Sequence, residues 1–368
     1  MIPANLLSDS FVYGARVDSW LGSRWLGRVP VVSGSVSWSA SQQVQGTLSL
    51  TVPRLGSVSE DEPARDFTPT TPESPLACFG QVLRVTIEVE SLVTGLQHTE
   101  PAGAFLVTGS DVSRGTVTVS GKSLLQRVEE DRLTSPTVPR AGGTLASEMR
   151  RLLGGHMGLV IDPRLTDRAC PTSMTWGESR IDALFEIADA WPARLREGRD
   201  GVLYVFPPVD EGTAPSRTMT DGEGGTVIAA KRTESREKVY NRVVARGQQQ
   251  GDSGQPTFQA VVDQRTGPMA TSGPYGVVTR FFSSPLITSP RSAMSAAVTM
   301  LETSVRRSWT IPVEHTPDPS ITLDEVVDLR VSPDAGTAPL RMRGVVASVD
   351  IPLTHEGTAR TDVEVTSR

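Results

Sequence analysis

Cysteine, histidine and aromatic side chains are scarce along these 368 residues, and each shortage excludes a class of chemistry. The two cysteines, Cys78 and Cys170, are too few for a disulfide framework or a four-thiolate zinc site, and both read as ordinary thiols. Four histidines, His98, His156, His315 and His355, are the whole stock of imidazole, and no two stand four residues apart. The patterns H-E-x-x-H, C-x-x-C, G-x-S-x-G and G-x-x-x-x-G-K-[ST] are missing, so zincin, zinc-ribbon, hydrolase-elbow and P-loop readings lack their primary signal. Aromatic residues make up only 5% of the chain. A basic excess is lacking too: 36 Lys and Arg against 42 Asp and Glu leave a net charge of −6, which disfavours tight binding to nucleic-acid phosphates. No run of about 18 apolar residues is present to span a bilayer, and Met1 to Val12 lacks the cationic flank of a secretory signal. The expectation is a soluble chain made in the cytosol, without membrane insertion.

What is abundant is turn-forming residues, with 33 Gly and 27 Pro, beside a hydrophobic share of 38%. This is a turn-rich globular composition, long enough for two to four compact units. From Phe11 to about Leu133 the apolar residues recur with period two, as in half-buried antiparallel strands. Val36, Trp38 and Ala40 alternate with serines; Leu48, Leu50 and Val52, then Val85, Ile87 and Val89, then Val117 and Val119 repeat the alternation. Residues 54–78 break it with Ser, Glu, Asp, Pro and Thr, including Ser59-Glu60-Asp61-Glu62-Pro63, and predict a mobile loop with too little apolar matter to pack.

After Pro139 the period becomes helical. Leu145, Met149 and Leu152 share one face of a helix that stops at Gly154-Gly155. A second helix starts at Ser179, whose spacing to Asp182 fits a capping box, and buries Ile181, Leu184, Phe185 and Ala188 before ending near Trp191-Pro192. Gly198 to Gly201 then turns the chain into a strand over Val202 to Phe206, stopped by Pro207-Pro208. Strands are expected again at Thr226 to Ala230 and Val239 to Gly247, with a Gln/Gly/Ser-rich loop tip up to Pro256. Ser289-Pro290 opens the longest helix, residues 290–307, with a stripe of Met294, Val298, Leu301 and Val305. Trp309 to Val313, Glu325 to Val331, Leu340 to Ile351 and Thr361 to Val365 read as closing strands. The reading is mainly β with an α+β insert: a first β module over 1–135, a helix-strand insert over 136–212, and a second β module over 213–368, the two β modules being structural cousins.

Candidate chemistry is thin. His156, in Gly155-His156-Met157-Gly158, reads as a surface turn histidine. The carboxylate clusters Glu129-Glu130-Asp131 and Asp221-Gly222-Glu223 stand among turn signals without the aromatic setting that binds sugar rings, and read as solvated. Arg150-Arg151 and Arg306-Arg307 fall near helix C-termini, where positive charge complements the dipole; contact with an acidic partner is their functional alternative. Trp20, Trp25, Trp38, Trp176, Trp191 and Trp309 are scattered, as core residues are. No residue is assigned a catalytic, cofactor-binding or metal-binding role.

Three ordered stretches carry a resemblance. They are SRIDALFEIADAWPARLREGRDGVLYVFPP over Ser179 to Pro208, KVYNRVVARG over Lys238 to Gly247, and Ala293 through Thr310-Ile311-Pro312-Val313 and Asp318-Pro319 to Glu325-Val326-Val327-Asp328. In order and spacing, over about Ala141 to Val365, they resemble the baseplate or tail-tip hub of tailed bacteriophages, the siphophage tail-associated family related to contractile-tail hubs. The resemblance implies two similar β-barrel-like tube modules per chain, assembled as a homotrimer into a pseudo-sixfold ring that adapts the sixfold tail tube to a threefold tip. It implies a tail-tube or distal tail protein above, a tip fibre, spike or receptor-binding protein below, a tape-measure protein, and DNA only in transit. The implied place is the virion tail tip after synthesis in the host cytoplasm, with no cofactor and no enzymatic activity. The sequence stops near Arg368 without the carboxy-terminal extension of some relatives, so a separate protein is expected to supply receptor binding or lysis. Two alternatives stay open: a tail-associated cell-wall hydrolase using a pair among Glu129, Glu130, Asp221 and Glu223, and a host-glycan-binding protein using Trp20, Trp25 and Trp176.

Overall fold

Strict alternation of side chains builds most of this molecule. In the computed structural model, which describes residues 10–58, 63–170, 174–210, 212–230, 233–234, 236, 239–247, 256–284, 287–306, 309–332 and 340–365, β4 (Gly46–Pro53) buries Leu48, Leu50 and Val52 and exposes Ser49. The same two-residue period runs through β7 (Gln81–Ser91), whose Val85, Ile87 and Val89 are buried between outward Arg84, Glu88 and Glu90. With β1 (Phe11–Leu21), β2 (Arg24–Val29), β3 (Ser33–Ser39), β8 (Gln97–Val112) and β9 (Thr116–Ser123) they form an antiparallel run in the order β2-β1-β7-β8-β9-β4-β3.

That run does not end at β3. Ser35 to Ser39 pair with Pro352 to Ser348 of β21 (Leu340–Pro352), which continues the sheet into β22 (Ala359–Val365), β19 (Trp309–His315) and β14 (Val227–Ala230). The other half of β21 pairs with β20 (Val326–Val331), which carries β13 (Arg217–Thr220) in parallel, and β15 (Thr233–Glu234) lies beside β14 along β19. One hydrophobic core accompanies this sheet: Val17, Val36, Leu50 and Ile87 from the first half belong to the same cluster as Ile311, Val327, Val349 and Val363 from the second.

A second core gathers mainly residues 125–205. The helices α1 (Leu125–Glu130), α2 (Leu145–Leu153) and α3 (Arg180–Ala190) pack on a three-stranded sheet of β10 (Gly158–Ile161), β12 (Val202–Phe206) and β11 (Arg194–Glu197), burying Met149, Leu152, Trp176, Leu184 and Leu203. α2 stops at Gly154, whose φ of +66° suits a residue without Cβ, as the sequence predicts. At the start of α3, Ser179 Oγ accepts the Asp182 N–H at 3.1 Å, half of the expected capping box.

A third core forms where β16 (Arg242–Gly247), β17 (Gln259–Asp263) and β18 (Thr279–Ser284) lie under α4 (Pro290–Arg306). Ser289 and Ser292 cap α4 reciprocally, each side chain taking the other's N–H at 3.1 Å. The expected stripe on this helix holds at Leu301 and Val305 and is corrected at the other two positions. Met294 and Val298 face solvent, and the helix lies down on Ala293, Ala296, Ala297, Met300 and Leu301, because alanines let its backbone approach the sheet more closely than larger side chains would.

Residues 54–78 also depart from expectation, and carry the short antiparallel pair β5 (Leu55–Gly56) and β6 (Arg65–Asp66). Phe67 and Leu76 are fully buried in the large core, the Phe67 N–H donates to Arg54 O at 2.8 Å, and Ser19 Oγ donates to Pro75 O at 2.6 Å. Gln81 Nε2 adds bonds to Pro72 O and Ser74 O. Two large apolar anchors and satisfied carbonyls tie down a segment whose composition is otherwise polar; its residues 59–62 lie outside the described residues, as do most of the 247–256 loop tip and Lys238. Cys78 is exposed, Cys170 is buried, and both are free thiols.

Candidate functional site

The hairpin β11–β12 is where the core around α1–α3 meets both halves of the large sheet. Its turn is set locally: Gly198 N donates to Val202 O, Gly201 N to Gly198 O, and Asp200 accepts both the Val202 N–H and the Tyr204 hydroxyl. Along β11, Leu195 and Glu197 point inward while Arg194 and Arg196 point across to residues 318–325, the link between β19 and β20. Arg196 Nη1 donates to Leu323 O at 2.8 Å, Arg194 pairs with Asp324 at 3.2 Å, and Arg199 reaches the carbonyls of Pro319 and Ile321.

The receiving link is equally committed. Asp318 Oδ1 accepts the Ser320 N–H and hydroxyl, and its Oδ2 meets Arg217 at 2.5 Å. Glu325 holds Thr322 through one oxygen and Arg217 through the other, at 3.0 Å. Asp324 adopts φ +63° and donates its N–H to Val346 O of β21. The acidic residues of the third sequence stretch are therefore receptors for arginines from β13 and from the insert. No local sequence signal announces those pairings, because the partners lie about a hundred residues away.

Glu197 faces the first module. Its N–H donates to Gln45 Oε1 at 2.8 Å, and Gln45 Nε2 returns a bond to Leu195 O. Its carboxylate accepts Ser123 Oγ at 2.6 Å and the N–H groups of Leu124 and Leu125 at 2.7 and 3.2 Å, at the start of α1, where Leu124 offers no side-chain cap. Burial pushes its pKa up to about 7 against the opposing pull of these donors. Burial likewise pulls Arg199 down to about 10, with Glu100, Glu325 and Asp318 acting the other way, so it stays cationic at neutral pH. A cavity of about 280 Å³ opens beside the joint, lined among others by Trp38, Glu100, Glu197, Arg199, Tyr204 and Leu323. The charged groups around it are engaged in joining three parts of one chain; what the arrangement does is hold position.

The sequence candidates are distributed elsewhere. Glu129 and Glu130 lie on α1, where Glu130 accepts Gln126 Nε2. Asp131 takes His156 Nε2 at 2.8 Å and Arg180 Nε at 3.2 Å, so the turn histidine is a bonded, half-buried link that its sequence setting did not announce. Asp221 accepts the Ser332 N–H just past the end of β20, and Glu223 is exposed. Glu129 and Glu130 stand beside the core around α1–α3, and Asp221 and Glu223 beside β13 of the large sheet. Trp176 is buried in the insert, Trp20 lies under Arg84 on the first module, and Trp25 is exposed beside Asp18, so these three line no common groove. Trp38 and Trp191 are core residues bonded to Ala102 O and Thr166 O. Arg151 pairs with buried Glu148 at 2.7 Å over the Trp176 ring; Arg307 and the Arg306 and Trp309 side chains lie outside the described residues. Among the described residues no group of three His, Cys, Asp or Glu could hold a metal ion, and no helix is long and apolar enough to cross a membrane.

No family model matches this sequence, and no curated protein matches it. Solved structures do. A tail protein from Neisseria meningitidis superposes with a TM-score of 0.64 at 11% identity, over 96% of this chain and 97% of that one. The 43 kDa tail protein of prophage MuSo2 from Shewanella oneidensis gives 0.59 at 12% identity, over 95% and 98%. An Escherichia coli component of the type VI secretion system, described as similar to T4 tail proteins gp27 and gp5, gives 0.52 at 11% identity, over 92% and 74%. The chain thus has the fold of phage tail proteins along essentially its whole length.

Proposed function

We propose that this chain is a structural, non-enzymatic hub of a phage-type tail, placed at the tail tip. The observation that carries the reading is the unbroken sheet through β3 and β21, which joins two β modules edge to edge on one shared core. At the two ends of that sheet, β2 and the β14–β15 side each keep an outer edge without a described partner strand. Three copies closing into a ring would cover those edges, repeating between chains the kind of joint already made within one. Six β modules then form a pseudo-sixfold ring that adapts a sixfold tube to a threefold tip. The net charge of −6 suits a bore through which DNA must slide without sticking. Its neighbours are a tube or distal tail protein above, a fibre, spike or receptor-binding protein below, and a tape-measure protein.

The test is mass in solution. Sedimentation or light scattering of the purified chain, alone and with a tail-tube partner, is expected to give three copies. A mass fixed at one copy under all these conditions overturns the reading.

A further inference from the structure

The tip of the β7–β8 hairpin is an apolar end on a stiff support. Leu92, Val93 and Leu96 are 66%, 71% and 44% exposed, and Val12, opposite Glu90 on β1, is exposed as well. The turn that carries them is well bonded. Ser91 Oγ accepts the N–H groups of Val93 and Thr94 at 3.2 and 3.1 Å, Ser91 N donates to Leu96 O, and Gly95, at φ +67°, donates to Ser91 O. Leu92 N donates to Ser10 O, which fastens the tip to the strand beside it. Three large apolar side chains are thereby held out in water. Glu88 and Glu90 alternate with buried Ile87 and Val89 and rim the tip on the face that carries Val12; Glu88 pairs with Arg16 at 3.0 Å, so the negative surplus rests on Glu90, which accepts Gln97 Nε2.

A complementary surface lies on the same chain, on the sheet β17-β16-β18. One face turns Val243, Ala245 and Ala260 toward α4. Across the other face Val261, Val244 and Phe281 stand in register, Val261 48% and Phe281 62% exposed on either side of a buried Val244. Arg242 borders this row on one side, bonded to Asp263 at 2.6 and 2.9 Å, and Arg246 on the other, its guanidinium 5.2 Å from the Phe281 ring centre. Arg242 and nearby Arg265 both help hold the Asp263 carboxyl below its usual range. Arg242, Arg246 and Arg265 against the single Asp263 give the rim a positive surplus among the described residues.

We propose that these are the two halves of one joint: the acid-rimmed apolar tip of one copy seats on the arginine-rimmed apolar face of a second copy. Apolar contact supplies the attraction and the opposite rims set the orientation. The two patches differ, so each copy offers one of each and the contact is head to tail, closing into a ring or running on as a filament. Closure at three copies rests on the reading above; the joint itself does not.

Sedimentation velocity on the full chain tests it with Val93→Asp and Phe281→Asp. Each variant is expected to stay a single copy at concentrations where the parent chain associates. An equal mixture is expected to give a species of two copies and no larger, because one intact tip and one intact face remain. Variants that assemble like the parent overturn the joint and leave the ring reading standing. A parent chain that forms filaments, abolished by both variants, keeps the joint and sinks the ring. A parent chain that never associates, or a mixture that stays single, overturns the joint. Should either variant fail to fold, Val93→Cys and Val261→Cys, prepared separately on a Cys78→Ser background, decide it: a disulfide-linked dimer in the mixture alone supports the joint, and its absence overturns it.

Discussion

At the scale of single residues, Glu197 caps a helix that begins 72 positions before it. Its pKa of about 7, against the ordinary 4.5, makes it a pH-dependent part of the joint. Between those values the folded chain keeps a proton that the unfolded chain has released. The group's favourable contribution is therefore complete below about pH 4.5 and is lost as pH rises through 7, on the order of 3 kcal/mol in total. Urea denaturation of the parent chain and of Glu197→Gln between pH 4.5 and 8 should show the parent losing stability relative to the variant by about that amount. A constant difference across the range would refute the assignment.

At the scale of elements, α4 shows what a hydrophobic pattern hides. Counting large apolar residues selects Met294 and Val298, whereas close packing selects the alanines one residue away. Ala297→Leu should cost about 1–3 kcal/mol through overpacking. Met294→Ser should stay within about 0.5 kcal/mol, as a solvent-facing change does. Thermal melts of the two variants check both figures. Strands fared better in the sequence because alternation reports the buried face directly: Leu48, Leu50, Val52, Val85, Ile87 and Val89 are all buried as expected. Composition misleads at residues 54–78, since buried Phe67 and Leu76 together with the bonds from Ser19 and Gln81 anchor them. The junction was not legible at all. Arg194, Arg196 and Arg199 look like an ordinary charged hairpin until the link at 318–325 is folded against them.

At the scale of the whole molecule, the shared core sets what can fold alone. Residues 1–135 produced without the rest would leave β3 without β21 and expose part of the surface that Val349 and Ile351 help cover. Such a fragment is expected to aggregate or to melt without a sharp transition, whereas the two β modules of the full chain melt together. Circular dichroism with temperature distinguishes these outcomes, and a fragment melting as sharply as the parent would count against a shared core. The same crossing of β21 against β3 has a mechanical corollary. Load entering at one margin of the sheet travels through rungs of peptide hydrogen bonds with no linker to flex. If a passage built from such chains must widen, the give has to come at the seams between copies, each copy swinging as one stiff plate.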